Sequence, residues 1–262
     1  MAYIVAIGAY LVLLMIFGLI VAHKKVKTSD DMVTGGHRIP FIVLVGTLLA
    51  TWCGGGGITG SASVVYTGGP WVGLITFAAP PIGIILLYFI AGKVRKSNKV
   101  TVPEIMEARY GKAASIISAL CVMLAYVGVL ATQLKAAADI IVLLCSSSGV
   151  EISHGLALTI CTVIIAVITV GGGLVSVAYS DAVSALLMVG GFFAAIPILM
   201  AAASAQGAAL PPEKLTLTGG MSGWEILGYF LPSLALMLGD QNMLQRFASA
   251  KNSDEAKKSN IG

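Results

Sequence analysis

Long runs of apolar residues alternate along the chain with short polar segments. A membrane-spanning helix needs about 20 consecutive apolar residues. The pattern predicts seven such spans, at residues 3–22, 41–65, 70–92, 114–145, 154–172, 180–203 and 222–245. The fourth run is too long for one bilayer crossing, so its first turns after Pro103 are expected to lie along the membrane surface or beyond it. The pattern therefore predicts an all-α membrane protein, with residues 1–262 in a single transmembrane domain.

Four consecutive glycines, residues 54–57, lie in the middle of the second run. Each glycine weakens a helix by roughly 1 kcal/mol relative to alanine. Unwound backbone is tolerated at membrane depth only where its polar groups find protein, water or a bound ion. Helix packing through small residues would explain two glycines on one face, but not four in a row. We therefore predict a broken helix of the kind that binds the coupling ion and the substrate in secondary transporters.

The residues around this break form a candidate ion and substrate site. Carbonyl groups freed at Ala50 and Cys53 would bind Na⁺, the only metal ion expected, because hard cations prefer oxygen ligands. Trp52 offers an aromatic face to an apolar or cationic group of the substrate. Gly54 and Gly57 are candidate substrate-binding residues at the same break.

The basic residues follow alternate apolar runs. Fourteen of the 16 Lys and Arg residues fall in the segments 24–38, 93–112 and 246–258. Seven alternating spans place all three segments on one face, which the positive-inside rule assigns to the cytoplasm. We expect a multi-pass protein of the plasma or inner membrane with an external N-terminus. Residues 246–262 are then a cytoplasmic tail or the start of a missing continuation.

Composition narrows the functional classes. Apolar residues make up 57% of the chain and charged residues 11%, which is typical of proteins in contact with membrane lipid. The net charge of +4 reflects topology, so no nucleic-acid partner is expected. The four cysteines form no Cys-x-x-Cys or Cys/His cluster, and no phosphate loop or Ser-His-Asp ordering occurs. The sequence therefore predicts neither an enzyme nor a cofactor other than Na⁺ as the coupling ion.

Charged and polar residues near the span ends have two interpretations each. Asp181 opens the sixth run, either as a helix cap or as part of an ion exit path, since intramembrane carboxylates often mark such paths. Asp240 and Gln241 lie deep enough in the seventh run for a substrate or gating role, whereas Arg246 is expected to be a cytoplasmic anchor.

Lys135 and Asp139 lie four residues apart on one helix face. Mutual neutralisation is the simpler interpretation of that pair, and substrate gating is the alternative.

Five segments resemble the sodium:solute symporter family along nearly the whole chain. They are 35–38 (Gly-Gly-His-Arg), 50–57 with 66–69, 101–112, 172–181 and 240–246. The resemblance implies a LeuT-type fold of two inverted five-helix repeats, preceded by one extra helix. It also implies Na⁺ binding by the carbonyls of Ala50 and Cys53, and release of Na⁺ towards the cytoplasm past Asp181. The second and fourth segments are most similar to the choline-transporter branch.

Choline recognition in that branch depends on a cage of aromatic residues. Trp52 matches one member of the cage, whereas the other aligned positions hold Ile84, Gly128 and Asp240. One ring does not form a cage, so choline itself is not predicted.

The seven predicted spans supply the extra helix, the first repeat and only the first helix of the second repeat. We therefore expect a truncated LeuT-type chain whose missing C-terminal half lies in the same or a neighbouring reading frame. The leading hypothesis is sodium-coupled symport of a small organic solute by alternating access. The alternatives are a non-transporting half-transporter remnant, a regulatory membrane partner, or a carrier of another family with the same fold.

Overall fold

The computed structural model describes residues 2–205 and 211–262, and all regular elements in those residues are helical. The α-helices are α1 (Ala2–Lys25), α2 (Ser29–Thr34), α3 (Phe41–Trp52), α4 (Gly55–Gly68), α5 (Pro70–Phe77), α6 (Ala79–Ser97), α7 (Val102–Tyr110), α8 (Lys112–Ser147), α9 (His154–Ala205), α10 (Gly223–Gly239), α11 (Gln241–Ser249) and α12 (Ser253–Ile261). Each of the seven apolar runs is helical, which confirms the all-α prediction.

Within the described residues, four stretches of helix are long and apolar enough to cross a membrane: Ile4–Lys25, Pro70–Ser97, Lys112–Ser147 and His154–Ala205. The bent pair α3–α4 would make a fifth. Since α9 has 52 residues, about 78 Å of helix, it is long enough for two crossings. α10 has 17 residues and is shorter than a typical span. The count of seven crossings therefore stays a prediction.

α9 covers the fifth and sixth apolar runs and is broken between them at Gly173. Gly173 has φ 54° and ψ −153°, which interrupts the helix without a connecting loop. A side chain there would place its Cβ 2.5 Å from the carbonyl oxygen of Met32 in α2. Only glycine permits both this conformation and this approach. The second helical segment therefore begins directly after Gly173, earlier than the predicted residue 180.

Side-chain caps start the short helices between the long ones. Thr101 accepts a hydrogen bond from the N–H of Glu104 at the start of α7, whereas the carboxylate of Glu104 accepts from Val100. α7 is separated from α8 by Gly111, so the turns after Pro103 form a helix of their own. Asp31 belongs to the capping box of α2. Its pKa is held below the ordinary value of 3.8, mainly by the hydrogen bond from the N–H of Lys27 and next by the hydrogen bond with the Thr28 side chain.

A compact core joins the two halves of the sequence. Leu44 and Leu48 of α3 pack with Leu87 of α6, Met237 of α10 and Phe247 of α11, all of them buried. Large apolar side chains on the outer faces of the long helices are exposed, which is the arrangement expected of surfaces that contact lipid.

The three basic segments meet at one end of the molecule. Arg95 Nε donates to the carbonyl oxygen of Ala250 at 2.6 Å, and His37 Nδ1 donates to that of Ala248 at 2.6 Å. Ile39 and Ala250 form an isolated parallel bridge between the same segments. These contacts bring parts of the three basic segments together, whereas a common membrane face and its side stay predictions.

Candidate functional site

The first candidate site is the break between α3 and α4. α3 ends at Trp52 and α4 begins at Gly55, with a bend of 50° between the two helices. The last hydrogen bond of α3 runs from Cys53 N to Leu49 O. The next carbonyls, from Ala50 to Cys53, are those that the break releases from helical pairing. The helix is thus broken where the glycine run predicted, and the two carbonyls proposed for Na⁺ belong to the released set.

A second break separates α10 from α11 at Asp240, inside the predicted apolar run of residues 222–245. Asp240 has φ −66° and ψ 112° and serves as the N-cap of α11. Its Oδ1 accepts from the N–H of Asn242 at 2.8 Å. Gly239 before a capping aspartate is the sequence signal that marks this boundary.

One face of α8 contacts both breaks. The hydroxyl of Tyr126 donates a short hydrogen bond to Asp240 Oδ1 and accepts from the N–H of Asn242 at 3.0 Å. Seven residues later, the amide of Gln133 lies against Gly54, where an added Cβ would come within 2.0 Å of Gln133 Nε2. Seven residues are two helical turns, or about 10.5 Å. Tyr126 and Gln133 therefore connect the two breaks along a single helix face.

The other candidate substrate residues lie close to the breaks, each in a different setting. Trp52 packs against the core, and its Nε1 is buried without a hydrogen-bond partner among the described residues. The amide of Gln241 is engaged at both ends, since Oε1 accepts from Val102 N at 2.7 Å and Nε2 donates to Val100 O at 3.2 Å. Gly57 faces the carbonyl of Trp52, 3.3 Å from the position of an added Cβ. The indole N–H of the partly buried Trp52 is thus a buried donor beside the first break.

Asp181 lies at the centre of a polar cluster that joins three helices. Its Oδ2 accepts from Thr47 Oγ1 of α3 at 2.6 Å and from Arg246 Nη2 of α11 at 3.1 Å. Arg246 Nε also donates to Thr47 Oγ1 at 2.8 Å, and Nη1 donates to Asn242 O at 3.3 Å. The Arg246 side chain is 8% exposed and that of Asp181 26%. A buried charge of this kind depends on its partners.

This cluster corrects two sequence interpretations. Asp181 is not a helix cap, because the helical segment begins after Gly173, two turns earlier. Arg246 is not a surface anchor, because its guanidinium is buried against Asp181 and Thr47. The positive-inside pattern explained Arg246 by its place in the sequence and gave no information on its neighbours.

Asp139 pairs with a different residue from the predicted one. Its Oδ1 lies 3.0 Å from His154 Nε2, at the start of α9, and the ion pairs of the described residues do not include one with Lys135. Both side chains of the Asp139–His154 pair are about half exposed. The pair therefore links the end of α8 to α9 and does not neutralise Lys135.

Sequence reasoning missed Thr47, Tyr126 and Gln133. A single hydroxyl or amide within an apolar run gives no local signal, because many such groups bond to their own helix backbone. In the sequence, the seven-residue spacing of Tyr126 and Gln133 is the one sign that their side chains lie on the same face of a helix. Of the positions aligned with the aromatic cage, Ile84 packs on the core, and a side chain at Gly128 would have no neighbour within 4 Å.

Comparison with known proteins gives consistent matches. A family model described as "Sodium:solute symporter family" matches residues 32–261. The chain is 26% identical over 205 residues to the high-affinity choline transporter 1 of Drosophila melanogaster, 27% over 211 residues to that of Homo sapiens, and 30% over 213 residues to that of Torpedo marmorata. These matches cover 74–75% of this chain and 31–35% of the relatives. The chain spans about a third of the length of the curated relatives it matches.

Proposed function

Because the chain belongs to the sodium:solute symporter family, we propose that it carries the ion and solute sites of a sodium-coupled symporter for a small organic solute. The observation that carries this proposal is the pair of helix breaks, at Cys53–Gly54 and at Asp240, which one face of α8 contacts together. Interrupted helices in corresponding positions of two halves indicate the binding site of a secondary transporter. The LeuT-type fold is part of the proposal, with α10 and α11 as the first helix of the second repeat.

Na⁺ binds the carbonyl oxygens of Ala50 and Cys53 in this proposal. Both carbonyls belong to the set that α3 releases at its C-terminal end. The negative end of a helix dipole favours a cation at that position. Na⁺ then stabilises the bent arrangement of α3 and α4, and a solute that prefers this arrangement binds more tightly. The coupling is reciprocal, so the solute tightens Na⁺ by the same factor.

The solute lies between the two breaks, with Trp52 on one side and Asp240 on the other. The relatives that the chain matches are choline transporters, and choline carries a positive charge. An aromatic face and a carboxylate both favour a cationic group. We therefore propose a small organic cation as the solute, without assigning choline.

The polar cluster of Thr47, Asp181 and Arg246 holds the basic end closed in this scheme. It ties α3, α9 and α11 together next to the first break. Separation of Arg246 from Asp181 opens a path from the Na⁺ site to the basic end, where the carboxylate is available to the departing ion. The basic end is cytoplasmic in this proposal, and the N-terminus is external.

The thiol of Cys53 provides the test, because it lies at the break and is partly exposed. We would prepare two single-cysteine versions of the chain in proteoliposomes, one with Cys53 and one with the exposed Cys121. Na⁺ should slow the reaction of maleimide with Cys53 severalfold relative to K⁺ at the same ionic strength. The reaction at Cys121 should not change. Equal rates at Cys53 in the two salts would refute Na⁺ binding at this break.

A further inference from the structure

A pocket of about 510 Å³ lies between α6 and α12, at the end of the molecule that carries the basic segments. Its lining includes Lys93 and Lys96 from the last turns of α6 and Lys257 from α12. We call it the basic pocket. Asp254 also lines it, so the side chains leave an excess of positive charge. The sodium and solute sites proposed above do not involve this pocket.

The two helices that form the basic pocket are held in register at both ends. Ser253 Oγ donates to Gly92 O at 3.2 Å, and Asn260 Nδ2 donates to Ile84 O at 2.8 Å. Asn252 Oδ1 caps α12 by accepting from the N–H of Glu255 at 2.8 Å. The pocket is therefore a fixed feature of the α6–α12 interface.

Lys257 reaches the pocket because residue 92 is glycine. A Cβ at Gly92 would lie 2.5 Å from Lys257 Cε, so any larger residue would displace the lysine stem. The Lys257 ammonium lies 5.8 Å from the centre of the Tyr88 ring. The stem thus passes close to Gly92 of α6, and Lys257 lines the same pocket as Lys93.

A simpler explanation covers only part of this arrangement. Lysines in the last turn of a helix interact favourably with its dipole, and basic residues collect on the cytoplasmic side of a membrane protein. The dipole rule accounts for Lys96, in the last turn of α6, and the second rule accounts for both Lys93 and Lys96. Neither explains why Lys257, from a different helix, converges on the same cavity. None of the three ammonium groups forms an ion pair within residues 2–205 and 211–262.

An apolar stripe runs from the basic pocket along the outer face of α6. Phe89, which lines the pocket, is 64% exposed, and Ile85, one turn before it, is 57% exposed. Lys93 follows Phe89 by four residues and lies on the same face. A lipid-facing stripe that ends in a cluster of lysines matches the two parts of an anionic phospholipid.

We propose that the basic pocket binds a phosphate group, and that an anionic phospholipid of the adjoining leaflet supplies it. The phosphate lies among the three lysines, and an acyl chain follows Phe89 and Ile85. Basic pockets between helices on the cytoplasmic side of membrane proteins are suited to lipid head groups. A soluble phosphate has the same chemistry in the pocket but would make no use of the apolar stripe.

The test measures lipid retention by the 262-residue chain in nanodiscs that contain phosphatidylglycerol and phosphatidylcholine. After extraction, native mass spectrometry counts the lipids that remain bound. We expect the wild-type chain to retain phosphatidylglycerol preferentially. Lys257→Gln should lower that preference by roughly fivefold, the effect of one lysine near an anionic surface. The triple variant with Lys93→Gln and Lys96→Gln added should abolish it.

A matched triple variant controls for net charge. Lys24→Gln, Lys27→Gln and Lys112→Gln remove the same charge from the basic segments outside the pocket, and this variant should retain phosphatidylglycerol as the wild type does. Equal loss in the two triple variants would overturn the proposal, because it would show a general charge effect. No preference in the wild type would refute the lipid source, and the phosphate experiment below then decides whether the pocket binds phosphate at all.

The phosphate experiment adds inorganic phosphate to the chain in phosphatidylcholine nanodiscs. Acetylation of Lys257 is followed by mass spectrometry in phosphate and in chloride, with Lys112 as the reference. Protection by phosphate without retention of phosphatidylglycerol would assign the pocket to a soluble phosphate and refute the lipid source. Absence of both effects would refute the site itself.

Discussion

Separate removal of each partner in the Asp181–Arg246 pair tests how the three helices at the basic end are joined. Arg246→Met keeps the length of the side chain and removes the guanidinium. Asp181→Asn keeps its size and removes the negative charge. Since Arg246 is the more buried partner, the charge that Asp181→Asn leaves behind is harder to solvate. We therefore expect Asp181→Asn to be the more damaging substitution.

The burial of the two side chains sets the size of the stability loss expected for each variant. Loss of one partner from a buried ion pair costs about 3–5 kcal/mol, because the other charge remains uncompensated. The Asp181 side chain is 26% exposed, and water reduces the cost when that carboxylate is the residue left behind. We expect losses of about 3 kcal/mol for Asp181→Asn and about 2 kcal/mol for Arg246→Met. The double variant should lose only about 2 kcal/mol, because it leaves neither charge alone.

The measurement is equilibrium unfolding of the four proteins in mixed micelles, followed by circular dichroism as the denaturing detergent increases. Lys112→Met is the matched control, because it removes a charge from an exposed position at the same end and should change stability by less than about 0.5 kcal/mol. Additive losses in the double variant would show that the two residues are not coupled. A smaller loss for Asp181→Asn than for Arg246→Met would refute the argument from burial.

Three further predictions concern the helix breaks and α2. Gly54→Ala should destabilise the chain, because its Cβ would lie 2.0 Å from the Gln133 amide, and Gln133→Ala in the same chain should restore part of the thermal stability. Tyr126→Phe should lower the unfolding free energy by about 1–2 kcal/mol through loss of the hydroxyl bond to Asp240, whereas Tyr110→Phe, at an exposed residue, should not. Because the pKa of Asp31 is lowered from 3.8, its capping contribution is complete above that pH and is lost as pH falls through the lower folded value. NMR titration of its carboxyl carbon measures this pKa, and a midpoint at or above 3.8 would contradict the capping geometry.

Features with a local cause could be predicted from the sequence. The apolar runs became helices, because helical hydrogen bonds form within one segment and do not require a particular partner. The break before Gly55 followed from glycine, whose helix penalty is intrinsic to its backbone. The second break was missed although Asp240 also acts locally. An aspartate near the end of an apolar run is compatible with the N-cap of a new helix or with a charged residue inside a continuing helix. The apolar pattern continues past Asp240, so it does not distinguish the two.

Tertiary structure alone decided which polar groups meet. Asp181 and Arg246 are 65 residues apart, and no helical spacing connects them. Local spacing paired Asp139 with Lys135, whereas the turn into α9 supplied His154. The sequence by itself determined the helical runs, the glycine break and the collection of basic charge at one end. It did not determine the contacts of Thr47, Tyr126 and Arg246, because the energy of a buried polar group depends on partners that only packing brings within hydrogen-bonding distance.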